Sequence, residues 1–151
     1  MTMTADEVAR NFYESYNDRD LDKTYEQYVS RGLVNHAFGG EYDWGDWLAT
    51  GRGLLASFKD LRVAVLDQIA QGDRVATRLS MSGTQTGEFH GIAPGDAVST
   101  LTGTVLDRIE DGKIAEHWSD SDLGGFMPQL TPAEAWPRPL AGWTRLPSRP
   151  R

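Results

Sequence analysis

The feature that most constrains this chain is a change of hydrophobic period near Leu61. Before it, apolar residues recur at helical spacing; after it, they alternate. Thr4-Ala-Asp-Glu7 has the capping-box pattern, and Val8, Phe12 and Tyr16 follow four apart, which predicts a first helix ending near Asn17-Asp-Arg-Asp20. A second, shorter helix carries Leu21, Tyr25 and Tyr28 on one side, and Arg31 to His36 reads as a short strand. A third helix puts Trp44, Trp47, Leu48, Leu55 and Phe58 on one stripe. Gly51 and Gly53 interrupt it, each at about 1 kcal/mol relative to alanine.

From Leu61 onward, Leu61, Val63, Val65 and Ile69 alternate, Gln71-Gly-Asp-Arg74 reads as a turn, and Val75, Thr77, Leu79 and Met81 resume the alternation. A loop rich in turn formers, Gly87 to Gly95, precedes a long strand with Leu101, Val105 and Ile109 on one face. Asp111-Gly112 is a hairpin signal, because both central positions of a type I′ turn need positive φ. The last strand is predicted from Lys113 to about Asp122. Helices first and long strands after them define an α+β fold, with N-terminal helices packed on a curved, mainly antiparallel sheet. With 151 residues and no internal repeat, the chain reads as one domain, 1–151. The tail 131–151 holds five of the seven prolines with Trp136 and Trp143, and is expected to wrap the surface as an extended segment.

Composition narrows the function. The net charge is −7 and no basic residues cluster on a predicted element, so no nucleic-acid partner is expected. There are no cysteines, which removes disulfides, thiolate catalysis and zinc–thiolate sites. His36, His90 and His117 are too dispersed for a metal-binding spacing, so no metal is expected and hydrogen-bonded or solvated histidines are the plainer reading. No apolar run approaches the roughly 20 residues of a membrane span, and no signal-peptide core opens the chain; residence in the cytoplasm, with no membrane contact, is the expectation.

Several phrases, in order, carry a resemblance. Thr84-Gln-Thr-Gly-Glu-Phe-His-Gly-Ile-Ala-Pro94, Asp111-Gly-Lys-Ile-Ala-Glu-His-Trp118, Asp122, Gln129-Leu130 and the tail's Trp136-Pro-Arg-Pro and Gly142-Trp143 are similar to the SnoaL-like polyketide cyclases, closest to the anthracycline-type aldol cyclases. The resemblance covers nearly the whole chain. It implies the nuclear transport factor-like cone fold, and a cofactor-free intramolecular aldol closure of an aromatic polyketide, such as an anthraquinone ester. It marks the stretch from Glu116 to Leu130 as the active-site strand, with Asp122, five residues after His117, as the acid/base. Tyr16, in the phrase Glu14-Ser-Tyr-Asn17, matches a tyrosine near the substrate of such cyclases, and Asn35 matches a second polar pocket position. His90 departs from the family pattern, which is usually apolar there.

The expected partner is therefore a small, hydrophobic, polyketide-like substrate. Asp122 and His117 are the expected catalytic residues, His117 either orienting the aspartate or donating to a carbonyl, with an outward position on the alternate face as the plainer alternative. Tyr16, Asn35, His36, Trp47, Phe58, Met81, His90, Trp118 and Phe126 are the expected substrate-binding residues. Burial of Asp122 against Trp118 and Phe126 would raise its basicity by disfavouring the charged form. Asp120 is a rival carboxylate: on an unbroken strand both aspartates would share the face of Ile114 and Trp118, so parity does not choose between them. Tyr16 reads at least as readily as core. The Trp44/Trp47 stripe is more often core packing than an aromatic substrate wall, although in a cone fold the same stripe can serve both purposes. The same fold also serves epoxide hydrolases, isomerases, hydroxylation partners and non-catalytic binding or association domains. One open sheet face suggests a homodimer or homotetramer.

Overall fold

The computed structural model describes residues 2–37, 39–95 and 98–130; the Pro/Trp-rich segment with Trp136 and Trp143 lies outside the described residues. Helix α1 (Ala5–Glu14) begins at Thr4, whose backbone N–H donates to Glu7 Oε2 at 2.8 Å. A 3₁₀ turn, Ser15–Asp18, completes it, and Arg19 at φ 65° reverses the chain into α2 (Leu21–Tyr28). Strand β1 (Val29–His36) leads to α3 (Trp44–Ser57), where Asp43 and Asp46 cap each other's backbone N–H groups. Four strands follow: β2 (Arg62–Gln71), β3 (Arg74–Thr84), β4 (Val98–Glu110) and β5 (Lys113–Ser121).

The sheet order is β1-β5-β4-β3-β2, antiparallel from β2 to β5, with β1 added parallel to β5 at the edge. The four strands from β2 onward form the expected meander. Asp111 and Gly112 both have positive φ, 50° and 74°, as the hairpin signal requires. α1 crosses β2 and β3, and the core between helices and sheet holds Val8, Phe12, Tyr25, Val29, Phe58, Val75 and Ile114, all essentially inaccessible. Each such side chain contributes on the order of 1.5–3 kcal/mol by leaving water. Among the described residues, no helix is long and apolar enough to cross a membrane.

Two features differ from the sequence reading, and both bear on the site. The stretch Glu116–Leu130 is not one strand: β5 ends at Ser121, and Leu123–Leu130 forms helix α4. Two glycines and Pro128 mask its helical character, but Asp122 supplies the start, accepting the Gly125 N–H on Oδ1 at 2.9 Å. The second feature is a bulge. Ile109 pairs with Ile114 but Arg108 pairs with Glu116, which leaves Ala115 as an extra residue on β5. The bulge shifts the alternation by one. Ile114 and His117 are both buried, while Trp118 turns to the opposite face.

Candidate functional site

Between the helices and the inner face of the sheet lies a cavity of about 600 Å³, within the range of small-molecule sites. Leu79, Met81, Leu101 and Val105 of the sheet form one wall, with Leu54 of α3, Phe89 of the following loop and Leu123 of α4. Polar groups interrupt this lining at Tyr13, Tyr16, Asn35, Thr50, Ser119 and Ser121, and at Glu88 and His90 on the loop. The bulge at Ala115 is what brings Ser119 and Ser121 to the inside.

Three lining residues, Tyr13, Asn35 and Trp47, adjoin a buried polar cluster of which Tyr13 is itself a member. Asp107 and His117 are register partners on β4 and β5. Asp107 is fully buried and His117 is 3% exposed. His117 Nδ1 lies 2.7 Å from Asp107 Oδ1, and the Tyr13 hydroxyl donates to Asp107 Oδ2 at 2.7 Å. The same hydroxyl is 3.3 Å from His117 Nδ1. A carboxylate only accepts, so the hydrogen-bond pattern assigns the proton to Nδ1 and leaves Nε2 without a protein partner among the described residues. The Trp47 indole stacks on the imidazole with centroids 4.2 Å apart. Burial, reinforced by the Asp107 carboxylate, holds the Tyr13 phenol well above its ordinary range, so it remains a donor.

A second pair of hydroxyls lies nearby. Tyr16 and Tyr25 are 2.5 Å apart through their phenol oxygens, and Tyr25 also donates to the Trp47 carbonyl at 3.3 Å. Burial pushes Tyr16 up to about 12, partly offset by the Tyr25 hydrogen bond. Gly51 explains its own place in α3: a Cβ there would meet Tyr16 Oη at 3.0 Å and Tyr25 Oη at 3.3 Å. The helix gives up about 1 kcal/mol of propensity to make room for this hydroxyl pair, of which Tyr16 lines the cavity.

Of the residues singled out in sequence, Tyr16, Asn35, Trp47, Met81 and His90 line the cavity. His90 does so from a loop position with φ 47°, a conformation that non-glycine residues adopt uncommonly. Asn35 is 4% exposed, and its Oδ1 has no hydrogen-bond partner among the described residues. Phe58 and Phe126 pack together beneath Phe89 and bound a small apolar recess next to the main cavity. His36 and Trp118 stack on each other on the outer face and are not part of the lining. Asp120 is exposed there too. Asp122 is exposed at the cavity rim, between the lining residues Ser121 and Leu123. The expected burial against Trp118 and Phe126 is therefore absent: the carboxylate is engaged as the cap of α4, and Trp118 faces the other way.

Sequence reasoning passed over Tyr13 and Asp107. The signal for Asp107 was present: it occupies an inward position of a strand face otherwise built from Leu101, Val105 and Ile109. A carboxylate in an apolar register needs partners. Among the described residues, no three His, Asp or Glu side chains converge as metal ligands.

The architecture has close parallels among solved structures. IdmH of Streptomyces antibioticus, named as a polyketide cyclase, superimposes with a TM-score of 0.76 at 30% identity, covering 85% of this chain and 99% of its own. AclR of Streptomyces galilaeus, named as a hydroxylase, gives 0.74 at 26% identity over 80% of this chain and 90% of its own. TsrD of Streptomyces laurentii gives 0.75 at 25% identity, covering 83% and 92% respectively. No curated protein matches the chain. The family model for SnoaL-like polyketide cyclases matches residues 6–130, and together with this fold and cavity it places the chain in the SnoaL-like polyketide cyclase family.

Proposed function

We propose that the cavity closes a ring on an aromatic polyketide intermediate, an anthraquinone ester or close relative, by intramolecular aldol addition without a cofactor. The observation that carries this reading is the make-up of the cavity: about 600 Å³ walled by apolar side chains, with hydroxyl and amide groups of Tyr13, Tyr16, Asn35, Thr50, Ser119 and Ser121 set among them. Apolar walls fix the substrate's conformer, and the polar groups among them meet the reacting carbonyls.

The chemistry requires one proton to leave and return. A base takes a proton from the carbon flanked by an ester and a ketone. The electron pair left behind attacks the second ketone, forming the carbon–carbon bond, and the carbonyl π pair becomes an alkoxide. The alkoxide then takes the same proton back, so the product is an isomer of the substrate. His117 Nε2 and the Asp122 carboxylate are the two candidates for this base. The geometry favours His117, which is buried beside lining residues, over Asp122, an exposed helix cap.

The test is to incubate the purified chain, treated with chelator and free of nucleotide, with a ring-open anthraquinone methyl ester carrying a ketone side chain. A cyclised product of unchanged mass is expected. Asp122→Asn should retain most of the turnover; its complete loss in a folded variant would move the acid/base role to Asp122. A second reading follows from the likeness to AclR, which is named as a hydroxylase. A product heavier by one oxygen would favour it over ring closure.

A further inference from the structure

We propose that Tyr13, Asp107 and His117 work as one proton-holding unit, in which Asp107 is a positioning residue that fixes His117 as the Nδ1–H tautomer and keeps Nε2 free as the base. The inference rests on the ring-closing reading above and says how its base is prepared.

The argument begins with cost. Asp107 is fully buried on a strand face that is otherwise apolar. Burying a carboxylate costs several kcal/mol unless its geometry is fully matched, and a well-packed apolar pair would hold β4 to β5 at least as well. Stability alone is therefore a poor reason for an acid at this position. Both of its oxygens are engaged within the cluster, Oδ2 by the Tyr13 hydroxyl and Oδ1 by His117 Nδ1, each at 2.7 Å. Asp107 thus acts through His117 rather than on a substrate.

The histidine is correspondingly constrained on two sides. One ring face lies against Trp47, and Nδ1 is held by Asp107. Nε2 is the ring nitrogen left without a hydrogen bond among the described residues, and Tyr13, Asn35 and Trp47, the ring's neighbours, line the cavity. Asn35, the register partner of His117 on the neighbouring strand, lines the cavity with its side-chain oxygen unpartnered among the described residues. A ligand hydroxyl that satisfies Asn35 would hold the ligand against the strand position beside His117. Tyr13 spreads the carboxylate charge by donating to its second oxygen, and so limits how far Asp107 draws the Nδ1 proton. When Nε2 takes the substrate's proton, the imidazolium formed is stabilised by Asp107; when it returns the proton to the alkoxide, the starting tautomer is restored.

Nitrogen NMR of the ¹⁵N-histidine-labelled chain tests the proposal without any substrate. Only three histidines contribute signals. His117 is expected to show a protonated Nδ1 and an unprotonated Nε2 in its neutral form. Asp107→Asn should reverse this, because the amide can donate to Nδ1, and should lower kcat roughly a hundred- to ten-thousand-fold with KM little changed. Asp107→Glu should recover part of that loss. A wild-type His117 carrying its proton on Nε2, or an Asp107→Asn variant with unaltered tautomer or undiminished kcat, would overturn the proposal. Should Asp107→Asn fail to fold, the wild-type tautomer decides alone. If the tautomers behave as expected but the wild-type chain closes no ring in any ester offered, the ring-closing reading fails while the positioning role of Asp107 is supported.

Discussion

Two histidine–carboxylate pairs stand on opposite faces of the same sheet. On the inside, His117 and Asp107 are 2.7 Å apart with side chains 4% and 0% exposed. On the outside, His36 and Glu116 are 2.9 Å apart at 28% and 26%. The pairs are neighbours in sequence: Glu116 precedes His117, and His36 follows Asn35. The outer pair extends into a network, with Arg108 donating to Glu116 at 2.9 Å and to Glu110 at 3.0 Å, while His36 stacks on Trp118. The contact distances are nearly equal, so proximity does not tell the pairs apart. Their surroundings do. Water and counter-ions screen the outer network, whose members can exchange partners for solvent at little cost. The inner pair has no such alternative, and its proton positions are fixed by the groups around it. On the ring-closing proposal, a histidine beside a carboxylate carries chemistry only where burial and a cavity accompany it.

The most direct way to break this contrast is to remove each imidazole. His117→Gln should lower turnover of a ring-open ester by roughly a hundred- to ten-thousand-fold, the usual contribution of a general acid/base. His36→Gln should leave turnover unchanged. Circular dichroism on both variants keeps folding separate from chemistry. Equal losses in the two variants would mean that the inner and outer pairs are not functionally distinct.

Stability should follow the same division, with smaller effects. Tyr13→Phe removes the donor to Asp107 Oδ2 in a buried cluster, and is expected to cost about 1–3 kcal/mol in urea unfolding. Arg108→Gln, on the half-buried outer network, should shift the urea midpoint less than Tyr13→Phe does. Alkaline unfolding sharpens the comparison further. Tyr16 has a folded value of about 12 because of its burial, against about 10 for an unfolded phenol. The folded state keeps a proton that the unfolded state releases, so this contribution is complete below pH 10 and is lost as pH rises towards 12. Tyr13 and Tyr25 are shifted in the same direction. Tyr16→Phe should therefore make the alkaline loss of stability shallower without abolishing it.

How much of this was legible in the sequence depended on whether the signal was local. The capping box at Thr4, the alternation from Leu61 and the Asp111-Gly112 turn are local patterns, and each produced the predicted element. The bulge at Ala115 is not local, because it exists only in the pairing of β5 with β4. Without it, His117 and Trp118 exchange faces, which is why Trp118 reads as a substrate contact on the face of Ile114; Asp107, by contrast, stands on the inward face of β4 in the alternation itself. Helix α4 was hidden for a different reason: Gly124, Gly125 and Pro128 are poor helix formers, so Asp122 read as part of a strand rather than as a cap.

The smallest expected effect concerns the outer pair on its own. His36 and then Arg108, through their hydrogen bonds, hold the Glu116 carboxyl below its ordinary value. A depressed folded value contributes stability above the unfolded carboxylate range, and that contribution is lost as pH falls through the folded value. Glu116→Gln should therefore flatten the acid limb of the stability curve slightly below about pH 4.5, the range where an unfolded glutamate titrates. Because the group is screened by solvent, the difference between variant and wild type should shrink at 1 M salt, where the Debye length is about 3 Å. Turnover at neutral pH should not change, since the side chain faces away from the cavity. An acid limb that flattens equally at low and high salt, or a fall in turnover, would show that the outer network is coupled to the buried pair through the strand they share.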